Sequence, residues 1–374
     1  MGTSPLELSN MTTFLKFPLF VKATFFIIGL YALVSMLYIG QEIIVPVIYA
    51  TLFAILLNPV VNLLMRLKLK RILAVIITLL LVFALITSLF VFLSSQGSKS
   101  GASLSIIIDK FYLLLNQSIA NFSVRFNVSV GSINDYLSKT RVEVLSHLSQ
   151  VIETTINAVG STLLVLLILF MYIFMILFYQ PHFMEFIHKL WGKTYGKEVS
   201  EFLGSTKSLI QSYLTGLLIE AAIVATLYAT GLLVIGIDYA ILLGIVGALL
   251  NIIPYLGGLI AASIYMIVAF TTKDSASYVL WVLVLFVVVH LIDNSYIIPK
   301  LVASKVKINA FVAITAILAG GALWGVPGMF LAIPLTGVIK LIFDRIEPLK
   351  PWGYFLSDTT PPVLNLKTKA AAKK

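Results

Sequence analysis

Long apolar runs separated by short polar or basic stretches dominate the chain. Six of them, at 17–39, 43–64, 72–94, 159–180, 209–235 and 277–298, reach the roughly 20 residues that an α-helix needs to cross a hydrocarbon core. Two more, at 239–270 and 309–342, are too long for that. Unbroken, at 1.5 Å per residue, they would measure about 48 and 51 Å against a core of about 30 Å. Each must tilt, protrude or turn back. The pattern predicts an all-α polytopic membrane protein with six spanning helices plus two long broken apolar segments. These two are re-entrant hairpins or kinked spans, giving about eight apolar segments in all.

Both long runs are interrupted near their middles, the first by NIIPYLGG (251–258) and the second by GGALWGVPG (320–328). Proline removes a backbone donor and clashes with the preceding turn, whereas glycine accepts positive φ. Pro254, Gly257 and Gly258 are therefore candidate joints in the first run, and Gly320, Gly321, Gly325, Pro327 and Gly328 in the second. Pro299 and Pro334 are further candidates nearby. Irregular backbone at bilayer depth is tolerated only where protein or water surrounds it. One such break reads most simply as a kink. Two at comparable positions favour a solute pathway of the kind found in secondary transporters.

Composition agrees with this class: 60% of residues are hydrophobic and 11% charged, too apolar for one soluble core. The net charge of +10 sits in short clusters beside the apolar runs, which points to membrane orientation rather than nucleic acid. With Arg66, Lys68, Lys70 and Arg71 placed inside, the N-terminus is predicted cytoplasmic and residues 95–158 outside. The loop 181–208 and the basic tail return to the cytoplasm. Lys300, Lys305 and Lys307 obey the same rule only if both long runs are hairpins entering from opposite faces. Lys16 and Lys22 precede an apolar stretch without a cleavage pattern, so it reads as a retained helix. The organisation expected is membrane helices in 1–94, an extracytoplasmic amphipathic segment in 95–158, a transport core in 159–345 and a basic cytoplasmic tail in 346–374. Within 95–158, Leu104, Ile107, Ile108, Phe111, Leu114 and Leu115 follow helical spacing. The glycosylation-like triplets at Asn116, Asn121 and Asn127 are too short to carry weight.

Polar and ionisable residues inside apolar runs are functional candidates by default. Asp293 lies in HLIDNSYIIPK beside His290 and Asn294, and Glu220 in QSYLTGLLIEAAI. Asn251 and Tyr255 belong to the first break. Asp293 suits a proton or Na⁺, and Asn294 suits a polar solute; each also suits plain helix pairing, which for Glu220 is the stronger reading. Enzyme signals are weak: no phosphate-binding GxxxxGK[ST] loop and no HExxH are present, the four histidines are dispersed, and serine, plentiful enough for an intramembrane hydrolase, is nowhere set beside a base. Cysteine is absent, which removes thiolate metal sites. No metal or other cofactor is expected beyond H⁺ or Na⁺ coupling.

NPVVNLLMRLKLKRILAVIITLLL, QSYLTGLLIEA, LLNIIPYLGG, LIDNSYIIPKLVA and LAGGALWGVPGMFLAIPLTGVIK, in this order, resemble the autoinducer-2 exporter (AI-2E) family of permeases over nearly the whole chain. The resemblance implies a polytopic inner-membrane transporter without its own ATPase, assembled as a homo-oligomer. Members of that family are assigned to export of the furanone autoinducer-2 or to Na⁺/H⁺ exchange. The family pattern falls on Pro254, Tyr255 and Gly257, on Asp293, Asn294 and Pro299, and on Gly320, Gly321, Gly325, Gly328 and Pro334. Gly258 stands where members often have proline, His290 where many have glutamine, and Ala303 where glycine is usual. His290 lies one turn from Asp293, so these departures bear on the substrate.

The expected function is thus export of a small polar organic solute such as autoinducer-2 across the inner membrane, coupled to a cation. A Na⁺/H⁺ antiporter and a non-transporting membrane scaffold are the alternatives. The partners expected are a solute or monovalent cation, the lipid bilayer and further copies of the chain, with no nucleic acid.

Overall fold

The computed structural model describes residues 18–98, 113, 130–253, 256–273, 275 and 277–358. The expectations for Pro254 and Tyr255, for Asn116, Asn121 and Asn127, and for the tail past 358 lie outside the described residues. So does most of the amphipathic stretch around Leu104 to Leu115. Residues 1–44 and 45–374 form separate units. The first holds α1 (Leu19–Ile39), which is apolar on every side and has no buried residue, as suits a helix bathed in lipid. At its end the Gly40 N–H bonds back to Met36 O at 2.9 Å.

The second unit takes in α2 (Gln41–Arg66) from Val45 onward, then α3 (Arg71–Ser98) and the long α4 (Val130–Ile235). The short helices α5 (Ala240–Asn251) and α6 (Leu256–Thr272) follow, then α7 (Ser277–Ile292), α8 (Ala310–Arg345) and α9 (Lys350–Leu356). Among the described residues the fold is all-helical, with one isolated bridge between Ile308 and Ser357. Seven helical spans among the described residues are long and apolar enough to cross a membrane, two of them (Val165–Trp191 and Tyr195–Ile235) within α4, and α5 and α6 are shorter apolar helices. The six expected spans are among the seven; the seventh is α8, the second broken run.

A scaffold forms where small residues let helices approach closely. Ala50, Ala54 and Val61 of α2 pack with Ala74 and Val75 of α3 and with Ile173 and Leu177 of α4. Residues 181–208, expected as a loop, are helical, with one break at Tyr195 (φ −130°). One tertiary and one local effect account for the difference. Pro181 has no N–H to give Leu177 O one turn earlier. Arg71 supplies the donors instead, from Nε at 3.0 Å and Nη2 at 2.6 Å, and its Nη2 also reaches Gln180 Oε1 at 2.8 Å. Farther on, Glu185 and Lys189 form an i,i+4 ion pair at 2.8 Å, which favours helix at a water-exposed surface.

Both long runs turn back on themselves. In the first, α5 and α6 pack together across residues 252–255, and at its base Lys273 pairs with Asp238 at 3.3 Å. In the second, α8 loses helical geometry at Trp324 (φ −133°, ψ 15°) and Gly325 (φ 63°, ψ −146°). A Cβ on Gly320 would collide with Gly328 O, and one on Gly328 would collide with Gly320 O. Residues eight apart are about 12 Å from each other along a straight helix, so this contact requires reversal of the chain. Length alone would make α8 a spanning helix; the glycine contact makes it a hairpin.

The two hairpins approach the part of α4 that follows the Tyr195 break, residues 195–235, from its opposite ends. The first starts just past Ile235, whereas the base of the second is held near residues 198–205, where Arg345 donates to Glu198 O at 3.2 Å and Ser205 Oγ at 3.1 Å. Asn309 accepts from Val312 N at 2.9 Å to cap α8, and its amide donates to Phe355 O at 2.7 Å, which fixes the segment carrying α9.

Gly325 occupies a backbone region essentially closed to side-chain-bearing residues, although no atom would crowd its Cβ. Gly325→Ala is therefore expected to cost about 1–3 kcal/mol, seen as a lower midpoint of thermal unfolding in detergent. An unchanged midpoint would place the reversal elsewhere.

Candidate site at the tip of the first hairpin

Glu220 of α4 and Asp293, which follows α7, are buried at 6% and 3% exposure. Asn251, the last residue of α5, joins them. Its Nδ2 donates to Asp293 Oδ2 at 3.0 Å and to Glu220 Oε1 at 3.3 Å, using both amide hydrogens. The two carboxylates lie within electrostatic range of each other. Asp293 Oδ1 is buried without a hydrogen-bond partner, and among the described residues neither acid is ion-paired with a basic group. The cluster therefore has acceptors in excess.

Local backbone geometry explains how Asp293 comes to face inward. After Ile292 the helix widens into two π turns, Asp293–Ile297 and Pro299–Ala303. The Ile298 N–H bonds to Asp293 O, five residues back. Pro299 can give nothing to the ordinary ladder, and it stands where the second π turn begins. Such widened turns recur at functional sites.

His290 and Asn294 face outward. Asn294 Nδ2 lies 3.0 Å from His290 Nε2 and donates to His290 O at 2.9 Å, and the imidazole stacks on Phe286 at 5.3 Å. This exposed pair borders the buried cluster at Gly258, where a Cβ would lie 3.4 Å from Asn251 Oδ1 and 3.9 Å from His290 Nδ1. Thus Glu220, Asn251 and Asp293 come together, with Gly258, His290 and Asn294 on one flank. Gly257, in the first turn of α6, donates to Ile253 O at 3.0 Å. In the second hairpin Gly320 and Gly328 face each other, Gly321 approaches Met329, Gly325 forms the turn, and Pro334 is buried.

Two tyrosines that the sequence pattern does not single out adjoin the acids, and a third, Tyr49, adjoins Tyr213. Tyr228 lies within electrostatic range of Asp293, and Tyr213 within range of both Glu220 and Tyr49. Tyr49 in turn donates to Pro327 O at 3.1 Å, at the tip of the second hairpin. A polar and aromatic series therefore connects the two tips by way of α4. Tyr213 stands seven residues before Glu220, two helical turns away on the same face, a spacing that could have pointed to it. Tyr49 has no local signal.

Comparison with known proteins gives the family. The model described as "AI-2E family transporter" matches residues 23–347. "Putative transport protein YueF" of Bacillus subtilis is 29% identical over 227 residues, 58% of this chain and 60% of that protein. "Putative transport protein YrrI" of the same organism is 30% identical over 171 residues, 45% of this chain and 48% of that one. A "Putative transport protein" of Borreliella burgdorferi is 22% identical over 189 residues, covering 49% and 52%. The matches thus span about half to three fifths of these relatives. Since the family model covers most of the chain, the protein belongs to the AI-2E transporter family and is a multi-pass membrane protein.

Proposed function

We propose that the protein is a secondary transporter exporting a small polar organic solute, such as autoinducer-2, across the inner membrane with H⁺ or Na⁺ coupling. One observation carries the reading: an amide at the tip of a helical hairpin bridges two buried carboxylates from two other elements. Two like charges side by side in a medium of low polarity repel strongly. One proton or monovalent cation leaves a single negative charge on the pair and relieves the repulsion; its loss drives the carboxylates apart, out of the joint reach of Asn251. Coupling then needs no ATPase, because the charge of the acid pair decides whether the hairpin tip is held.

In this mechanism Asp293 is the coupling acid and Glu220 shares its charge. Asn294 and His290, on the exposed flank, supply donors and acceptors to the solute, joined by Tyr255 from the break. Pro254, Gly257 and Gly258 let the first hairpin move; Gly320, Gly321, Gly325, Pro327 and Gly328, with Pro299 and Pro334, do so for the second. The scaffold of α2, α3 and the early part of α4 stays fixed while the hairpins rock. Both termini are assigned to the cytoplasm from the basic clusters, and the working form is a homo-oligomer.

A second reading, Na⁺/H⁺ exchange, is favoured by the unpartnered Asp293 Oδ1. Buried carboxylate oxygens without donors suit a hard cation that takes oxygen ligands. A Na⁺ gradient imposed on vesicles separates the two. Exchange predicts acidification of the Na⁺-loaded side, and alkalinisation of the side that Na⁺ enters, without organic solute, whereas export predicts neither until solute is present.

Asp293→Asn keeps the shape and removes the titrating charge. Proteoliposomes carrying it should lose gradient-dependent flux by at least about tenfold, equivalent to about 1.4 kcal/mol of lost coupling. Flux and gradient dependence equal to the wild type would remove Asp293 from the mechanism.

A further inference from the structure

The tip of the second hairpin has a partner outside its own element. Pro327 follows the Gly325 turn by two residues, so a freely rotating joint is succeeded by a ring that fixes φ. A carbonyl has two lone pairs, and Pro327 O accepts a hydrogen bond from Tyr49 at 3.1 Å. The Tyr49 ring also stacks on Phe330, one turn beyond Pro327, at 5.5 Å and 14° between planes. On its own helix it stacks on Phe53 at 6.1 Å and 26°. Tyr49 therefore grips the returning arm twice, by its hydroxyl at Pro327 and by its ring at Phe330. It belongs to α2, whose neighbouring Ala50 and Ala54 are locked into the scaffold.

We propose that Tyr49 is a positioning residue that latches the tip of the second hairpin to the scaffold, so that opening at Gly325 requires its hydroxyl to leave Pro327 O. Its purpose rests on the transport reading, though its test does not. The latch also stands next to the acid cluster. Tyr213 lies within electrostatic range of Tyr49 on one side and Glu220 on the other, so a charge change at the first tip is felt beside the second.

Two roles compete for Tyr49. A packing role needs only the ring, whereas a latch needs the hydroxyl. Tyr49→Phe separates them, because it keeps the ring and both stacks and deletes the donor. The chain has no native cysteine, so Leu331→Cys, at a fully buried position one turn beyond Pro327, places there a single reporter thiol that is covered while the tip is held. Its rate of reaction with a water-soluble maleimide in lipid discs, without solute, measures how often the tip opens.

Tyr49→Phe should speed that reaction about fivefold, the population shift given by loss of one net hydrogen bond. Tyr49→Ala, which loses the stacks as well, should speed it further. Equal rates with and without the Tyr49→Phe substitution, whether fast or nil, would overturn the latch and leave a packing role. Because no solute is present, that result would leave the transport reading to be decided separately by proteoliposome flux.

Discussion

Inside a bilayer no water is at hand for an N–H or C=O that a turning helix sets free, and each such group left alone costs several kcal/mol. The fold is arranged around this constraint. Where Pro181 deprives Leu177 O of its donor, Arg71 reaches across from α3. Where α5 ends, Ile253 N bonds to Leu250 O at 2.9 Å and Gly257 N to Ile253 O at 3.0 Å, closing the turn on itself. At the second reversal the hydroxyl of Tyr49 covers Pro327 O. In each case irregular backbone is matched by a named donor.

Bringing the hairpins in from opposite ends of the α4 segment after Tyr195 sets both tips toward the middle of that segment, where Tyr213 and Glu220 stand. The first tip carries an amide that holds two acids, and the second is held by a phenol two aromatic steps away. A site assembled from chain reversals can change shape by rotation at a few glycines while the surrounding helices keep their packing. That is the property a transporter requires, and a bundle of straight helices lacks it.

The breaks are legible in the sequence because their signal is local: glycine and proline alter φ and donor supply wherever they stand. Asp293 and Glu220 are legible because an acid in an apolar run is rare. Tertiary relations are not. Whether GGALWGVPG kinks or reverses depends on Gly320 meeting Gly328, and the residues between them are compatible with either outcome. The stretch 181–208 has the look of a loop because proline and lysines mark loops on average. The compensating Arg71 lies over a hundred positions earlier. Tyr49 gives no warning, since tyrosine is common in membrane helices and only its bond to a carbonyl distinguishes it; for Tyr213 the one hint is its place two turns before Glu220.

A density map of the protein in lipid discs tests the central claim most directly. It should show the backbone reversing at 251–258 and at 324–325, with both turns enclosed by protein and Asn251 seated between Glu220 and Asp293. Either run continuing as a straight helix against acyl chains, with Asn251 remote from the two carboxylates, would contradict the account.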